Sequence, residues 1–183
     1  ESSTCEMLGQ MMVDSKVLTS LDNYNSRVGA LGSLASLSPN HDAAIIEVAQ
    51  SALWMKRGPI TQFIRPDVAL VTEIGYSQTQ QVKSLEQTMQ YKTQIFNGLS
   101  RNAIAVVGVH LPLFEQVLYY AQKYSKRVVI YGDHPQAQIR VKSIELSLES
   151  SHVKLETDEG DFEFILPIPS IGMAKNAIAA FAV

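Results

Sequence analysis

The stretch Arg65-Pro66-Asp67-Val68-Ala69-Leu70-Val71-Thr72 decides the fold. Proline and aspartate mark a turn, and an unbroken apolar run follows it and closes on threonine. A run without polar alternation reads as a short strand buried on both faces. Working outward, three more runs have this character: Ala43-Ala44-Ile45-Ile46-Glu47-Val48, Ile104-Ala105-Val106-Val107 and Arg127-Val128-Val129-Ile130-Tyr131. Residues 84–99 and 113–124, lying between them, carry helical periodicity. Short apolar strands alternating with helices predict βαβ units with right-handed crossovers. The expected class is therefore α/β, a mostly parallel sheet flanked by helices.

The rhythm changes after Gly132. Residues 139–148 and 152–157 alternate, Asp158-Glu159-Gly160-Asp161 reads as a turn, and residues 162–166 alternate again. This predicts a small antiparallel extension over about 139–167, attached to the edge of the sheet. At the other end, residues 5–13 read as a helix with Met7, Leu8, Met11 and Met12 on its apolar side. Ser2, Ser3 and Thr4 stand where caps belong. Residues 18–37 begin rich in Asn, Ser and Gly and turn helical through Leu31, Leu34 and Leu37. Pro39-Asn40-His41-Asp42 is a turn, and residues 172–183 are helical. No repeat or low-complexity linker divides the chain, so one domain over 1–183 is expected. Its first and last residues lie inside helical patterns, which predicts a piece of a longer protein.

The composition excludes several function classes. The 183 residues carry 15 Lys+Arg against 18 Asp+Glu, a formal net charge of -3, which gives no footprint for nucleic acid. A single cysteine, Cys5, rules out an internal disulfide framework and a cysteine-rich zinc site. It reads as a buried helix residue rather than a nucleophile. No apolar run reaches the roughly 18 residues of a membrane span, so a cytoplasmic location is expected. His41, His134 and His152 read as surface residues, Trp54 as packing a helix against the sheet, and the tyrosines form no stacking platform. No G-x-S-x-G elbow points to a hydrolase.

Ligands of parallel α/β sheets gather beyond the carboxyl ends of the strands. Glu47, Thr72 with Glu73, and Gly108 with His110 fall at such ends. A carboxylate closing a buried strand suits a magnesium ion or a phosphate site; equally, Glu47 caps the next helix or pairs with a lysine. Lys92 falls into the apolar stripe formed by Leu85, Met89, Phe96 and Leu99. There it must snorkel, pair, or be chemically altered.

In order and spacing the chain resembles the central, ATP-binding domain of the Mur ligases and their relatives, the folylpolyglutamate and poly-glutamate or cyanophycin synthetases. Among these the pattern is nearest to the ligase that adds the D-alanyl-D-alanine dipeptide. Ser2-Ser3-Thr4-Cys5-Glu6-Met7-Leu8 looks like the helix leaving the family's phosphate loop, G-x-x-G-K-[ST]-[ST]-T, with Glu1 where the lysine belongs. Asn23-Tyr24-Asn25-Ser26-Arg27-Val28-Gly29 resembles the substrate-side T-x-x-N-x-N-x-x-G segment. Ile45-Ile46-Glu47-Val48-Ala49 resembles the strand with the magnesium glutamate. Pro66 to Gly75 follows P-D-V-A-x-x-T-N-I-G, with Glu73 for asparagine, and the metal-binding histidine three residues on is Gln78. Lys92 falls on a lysine that many members carbamylate. Gly108-Val109-His110-Leu111-Pro112 stands where N-x-D-D-P is usual, and Gly172-Met173-Ala174-Lys175-Asn176-Ala177 matches G-x-x-x-N-A.

The resemblance implies a P-loop NTPase-like fold with ATP and Mg²⁺ as cofactors. It places Ser2, Ser3, Thr4 and Asn176 on the nucleotide, and Asn23, Asn25 and Arg27 on the substrate. Ser2, Glu47, a carbamylated Lys92 and, weakly, Gln78 fall on the metal, with Lys92 and Glu47 as catalytic residues. The implied reaction joins a carboxylate to an amine through an acyl phosphate, in peptidoglycan precursor synthesis or a related polymer. The N- and C-terminal ligase domains would be the partners, and this piece alone would be inactive. The altered loop, metal and strand-end positions keep two other readings open: a degenerate homologue serving as scaffold, and a module that does not use ATP.

Overall fold

The structure, a computed structural model, describes residues 1–20, 24–54, 57–75, 84–100 and 102–183. In chain order its elements are α1 (Ser2–Met11), β1 (Val17–Thr19), α2 (Arg27–Ala35), β2 (Ala43–Ile45), α3 (Gln50–Leu53), α4 (Thr61–Ile64) and β3 (Val68–Val71). Then come α5 (Leu85–Lys92), a 3₁₀ segment (Thr93–Gly98), β4 (Ile104–Gly108), α6 (Phe114–Tyr124), β5 (Arg127–Gly132), β6 (Ile139–Leu146), β7 (Ser151–Thr157), β8 (Gly160–Leu166) and α7 (Ile171–Phe181).

Six strands form one sheet in the order β3-β4-β5-β6-β7-β8. The first four run parallel, with Val68 opposite Ile104 and Ile104 opposite Arg127. The last two join antiparallel, so the C-terminal extension sits on the edge as expected. The two-sided burial read from the sequence is visible in β4. Ala105 and Val107 face Met89, Phe96, Val117 and Ala121 under the 3₁₀ segment, α5 and α6. Val106 faces the opposite way, onto Ala174 and Ile178 of α7. Alternate residues of one strand thus feed two separate cores, which is why the run has no polar member.

β2 departs from the expected arrangement. It pairs in parallel with β1, Val17 opposite Ala43, in a ribbon separate from the six-stranded sheet. β1 is only three residues long, below the length at which periodicity signals a strand. α1 packs on α7 and also touches β1 and β2, bridging the ribbon to the main body. The buried side of α7 is built largely of the small residues Ala174, Ala177, Ala179 and Ala180.

Two local expectations change. Ser2, Ser3 and Thr4 are the first turn of α1 rather than its caps, and Glu1 is the N-cap, its carbonyl accepting from the amides of Thr4 and Cys5. Trp54 does not pack against the sheet. It is 51% exposed, with its ring stacked on Tyr91 at 4.8 Å; α3 ends after a single turn and cannot carry it inward.

Candidate functional site

The site lies where α1 begins and β2 ends. Glu47 follows β2 by two residues and is buried, 7% exposed. The Ser20 hydroxyl, just beyond β1, accepts from its backbone amide at 2.9 Å. One carboxylate oxygen accepts from the Ser2 hydroxyl at 2.7 Å, and the other from Asn25 Nδ2 at 2.7 Å. Three segments far apart in sequence therefore converge on one buried carboxylate. Charge-assisted bonds of this kind are stronger than neutral ones and fix the side chain's direction.

The local folding of each segment explains the convergence. Ser26 caps α2 by accepting from the Gly29 amide at 3.2 Å, so Asn25 is held in extended chain just before the helix. The Ala49 amide donates to the Asn25 carbonyl at 2.7 Å, tying both ends of the Asn25–Glu47 contact to one backbone clamp. Arg27, in the first turn of α2, donates to the Gly58 carbonyl at 3.0 Å. Ser2 opens α1, and the free amides of that turn carry the positive end of the helix dipole.

Beside this cluster the Lys92 ammonium meets the Glu1 carboxylate at 2.6 Å. Lys92 ends α5, and its side chain is 20% exposed, so among the alternatives open from sequence it pairs. Thr4, in the first turn of α1, is buried, and its hydroxyl has no hydrogen-bond partner among the described residues. Ser3 is half-buried beside it. Asn176 is half-buried on α7, next to the face that covers the sheet. Asn23 and Gln78 lie outside the described residues. Among the described residues, no three His, Cys, Asp or Glu side chains gather into a metal cage. The donors at Glu47 are hard oxygens, a carboxylate and a hydroxyl. That set fits a cation such as Mg²⁺, which takes few protein ligands and shares the rest with phosphates and water.

Ser20 carried no signal in the sequence, being an ordinary serine after a strand too short to recognise. Glu1 stood out as an acid where the loop lysine belongs, but not as the partner of a lysine 91 positions away.

Burial, with Glu47 nearby as the next cause, pushes the Cys5 thiol up to about 11. Its thiolate is scarce until the pH approaches that value. We expect iodoacetamide to modify Cys5 at pH 8 on the order of a hundredfold more slowly than a free cysteine. An unfolded cysteine loses its proton near 8.5, whereas the folded one keeps it to about 11. Stability from this group therefore falls as pH rises through that window. Cys5 is half-buried on α1 rather than fully buried as expected, and alkylation at the free-cysteine rate in the folded protein would contradict that placement.

Comparison with known proteins bears on the chain as a whole. The family model for the Mur ligase middle domain matches residues 1–183. The UDP-N-acetylmuramoyl-tripeptide–D-alanyl-D-alanine ligase of Bacillus subtilis is 26% identical over 163 residues, covering 87% of this chain and 33% of the relative. A crystal structure of MurF from Acinetobacter baumannii superposes with a TM-score of 0.86 at 22% identity, over 98% of this chain and 38% of the other. The MurF ligase of Thermotoga maritima in complex with ADP gives 0.80 at 19% identity, over 98% and 41%. The chain thus spans about a third to two fifths of the length of these proteins. No described helix is long and apolar enough to cross a membrane.

Proposed function

We propose a function from one premise: the chain belongs to the Mur ligase middle-domain family. It is the nucleotide-binding core of an ATP-dependent ligase that joins a carboxylate to an amine, of the kind that extends a peptidoglycan precursor or a related polymer in the cytoplasm. The observation that carries this reading is the meeting of Ser2, Asn25 and Glu47 at the start of α1.

The chemistry has two steps. A carboxylate oxygen of the acyl substrate attacks the γ-phosphorus of ATP, and ADP leaves, giving an acyl phosphate. The amine nitrogen then attacks the acyl carbon, phosphate leaves, and the nitrogen gives up a proton. The residues of this chain bind and orient. The first-turn amides of α1, with Ser3 and Thr4, receive phosphate oxygens, and the dipole favours their charge. Glu47 and Ser2 would hold Mg²⁺, and the chemistry it would supply there is charge screening of the phosphates. Asn25 and Arg27, with Asn23 before them, line the substrate side. Asn176 meets the nucleotide from α7. Lys92 would join the metal ligands only as a carbamate, a second anion beside Glu1. N- and C-terminal domains outside this chain would bind the acyl carrier and the amine.

One observation favours a second reading, a degenerate homologue used as a scaffold. Glu1 occupies the place of the loop lysine and is closed onto Lys92, so a carboxylate stands where a triphosphate would seek a cation. Calorimetry of the full-length protein with Mg-ATP separates the two. Saturable binding at a 1:1 ratio is expected, and no heat at millimolar nucleotide would reject the ligase reading in favour of the scaffold.

A further inference from the structure

The amino half of β5 has an edge that no strand covers. β6 pairs with β5 only at its carboxyl end, Tyr131 with Ile139 and Gly132 with Arg140. Successive residues of a strand turn their N–H and C=O to opposite edges. On the β6 side Ile130 is already served: its amide donates to Gln138 Oε1 at 2.8 Å, and its carbonyl accepts from the Gln138 amide at 3.0 Å. Gln138 thereby stands in for one residue of a neighbouring strand. Two residues back, Val128 turns its own N–H and C=O to the same edge, and among the described residues neither has a partner there. An unpaired strand edge is a template for another extended chain.

This open edge lies in a groove of about 840 Å³, within the size range of binding sites. Val128, half-buried, and the buried Ile130 give the groove an apolar floor, while Lys126, Gln138, Arg140 and Asp158 stand around it. The run Lys123-Tyr124-Ser125-Lys126-Arg127, which leads into β5, holds three cations and no acid in a chain whose net charge is -3. Among the described residues none of these cations is in an ion pair. Arg140, on the far side, is held by Glu156. The groove thus combines an unfilled backbone rung, an apolar floor and a positive approach, beside the amino half of the strand rather than beyond its carboxyl end.

A peptide in extended conformation complements all three features. Its C=O and N–H complete the rung at Val128 as Gln138 completes the one at Ile130, and its alternate side chains reach the apolar floor. Carboxylates on it answer Lys126 and the neighbouring cations. A phosphate of a nucleic acid or a lipid would satisfy the cations but brings no N–H for the Val128 carbonyl. We propose that the free edge of β5 is a docking groove for an acidic, extended segment of a partner protein, which adds as a strand beside Val128. No residue of the Ser2–Glu47 cluster takes part, so this groove stands or falls apart from the ligase reading.

The probe is a fluorescein-labelled, amide-capped hexapeptide of alternating glutamate and valine, titrated with the full-length protein at low salt and followed by anisotropy. Saturable binding is expected, with a Kd on the order of 100 µM. Lys126→Glu should weaken it roughly tenfold; Lys126 is exposed, so the fold of this variant is not at stake. The same peptide with every amide N-methylated keeps its carboxylates and loses its N–H groups, and should bind roughly tenfold more weakly. Equal affinity for the two peptides would reduce the contact to charge and overturn the strand addition. An unchanged affinity in Lys126→Glu would place the peptide elsewhere and overturn the groove, as would an unmodified peptide that fails to bind at roughly millimolar protein. Single-stranded DNA of equal charge that binds as tightly as the peptide would replace the partner by a polyanion and overturn it too.

Discussion

Gly98→Ala is expected to lower the melting temperature by roughly 6–12 °C, the consequence of losing about 3 kcal/mol of stability in a domain of this size. Gly98 closes the 3₁₀ segment Thr93–Gly98, which lies against α4. A Cβ there would overlap the backbone carbonyl of Thr61 and stand 2.7 Å from Thr61 Cβ. Thr61 cannot yield. It is buried, its hydroxyl donates to the Gln94 carbonyl at 3.2 Å, and its carbonyl accepts from the Arg65 amide at 2.8 Å. That last bond holds Arg65 in a left-handed turn at φ 53°, the start of the chain's descent into β3. A methyl at 98 therefore pushes on backbone, and Phe96, fully buried two residues earlier, has no room to follow. Gly32→Ala is the control. Nothing lies within 4 Å of that Cβ, and the residue is inside α2, so it should stabilise by about 0.5–1 kcal/mol. Equal melting curves for Gly98→Ala and wild type would mean that α4 does not seat on the 3₁₀ segment as described.

The main sheet was legible because its strands are buried on both faces. β3 and β4, and β5 beyond its exposed Arg127, are apolar runs, and such runs stand out without any alignment. The antiparallel edge was legible for the opposite reason, since Val153 and Leu155 point inward while Lys154 between them stays outside. The β1–β2 ribbon was half hidden. β2 showed as an apolar run, but β1 is three residues whose partner, not their own pattern, makes them a strand. Trp54 misled because its size argues for burial, whereas a one-turn helix leaves it outside, with its ring stacked on Tyr91. At the site, the position of Glu47 was readable from its place at the end of an apolar run. Its partners were not derivable from periodicity, because Ser2, Ser20 and Asn25 reach it through tertiary folding; Ser2 and Asn25 were flagged through the family resemblance alone. The open edge at Val128 is likewise invisible in sequence, where a valine in an apolar strand looks like any other core residue.

Glu47→Gln should abolish the tightening of nucleotide binding by Mg²⁺, an expected loss on the order of a hundredfold in the Mg²⁺-dependent affinity, the range seen when a charged partner at a fixed site is removed. The substitution keeps the length of the side chain and one acceptor oxygen, so either Ser2 or Asn25 retains its bond while the other faces an amide N–H₂. Folding should survive with a loss of about 1–2 kcal/mol, because one hydrogen bond to a charged acceptor is given up at a site that Ser20 still pins through the backbone. Charge is the property that disappears. A carboxylate that served only to tie α1, β2 and the Asn25 segment together would show the stability loss and no change in Mg²⁺ dependence. One that holds the cation would show the reverse weighting, with affinities measured in EDTA nearly equal for variant and wild type. Ser2→Ala sharpens the distinction: it leaves the Glu47 charge in place and removes the hydroxyl, so it should cost about tenfold where Glu47→Gln costs a hundredfold. If magnesium tightened nucleotide binding equally in Glu47→Gln and wild type, the cation would have to be held elsewhere, and the convergence on Glu47 would be a structural clamp alone.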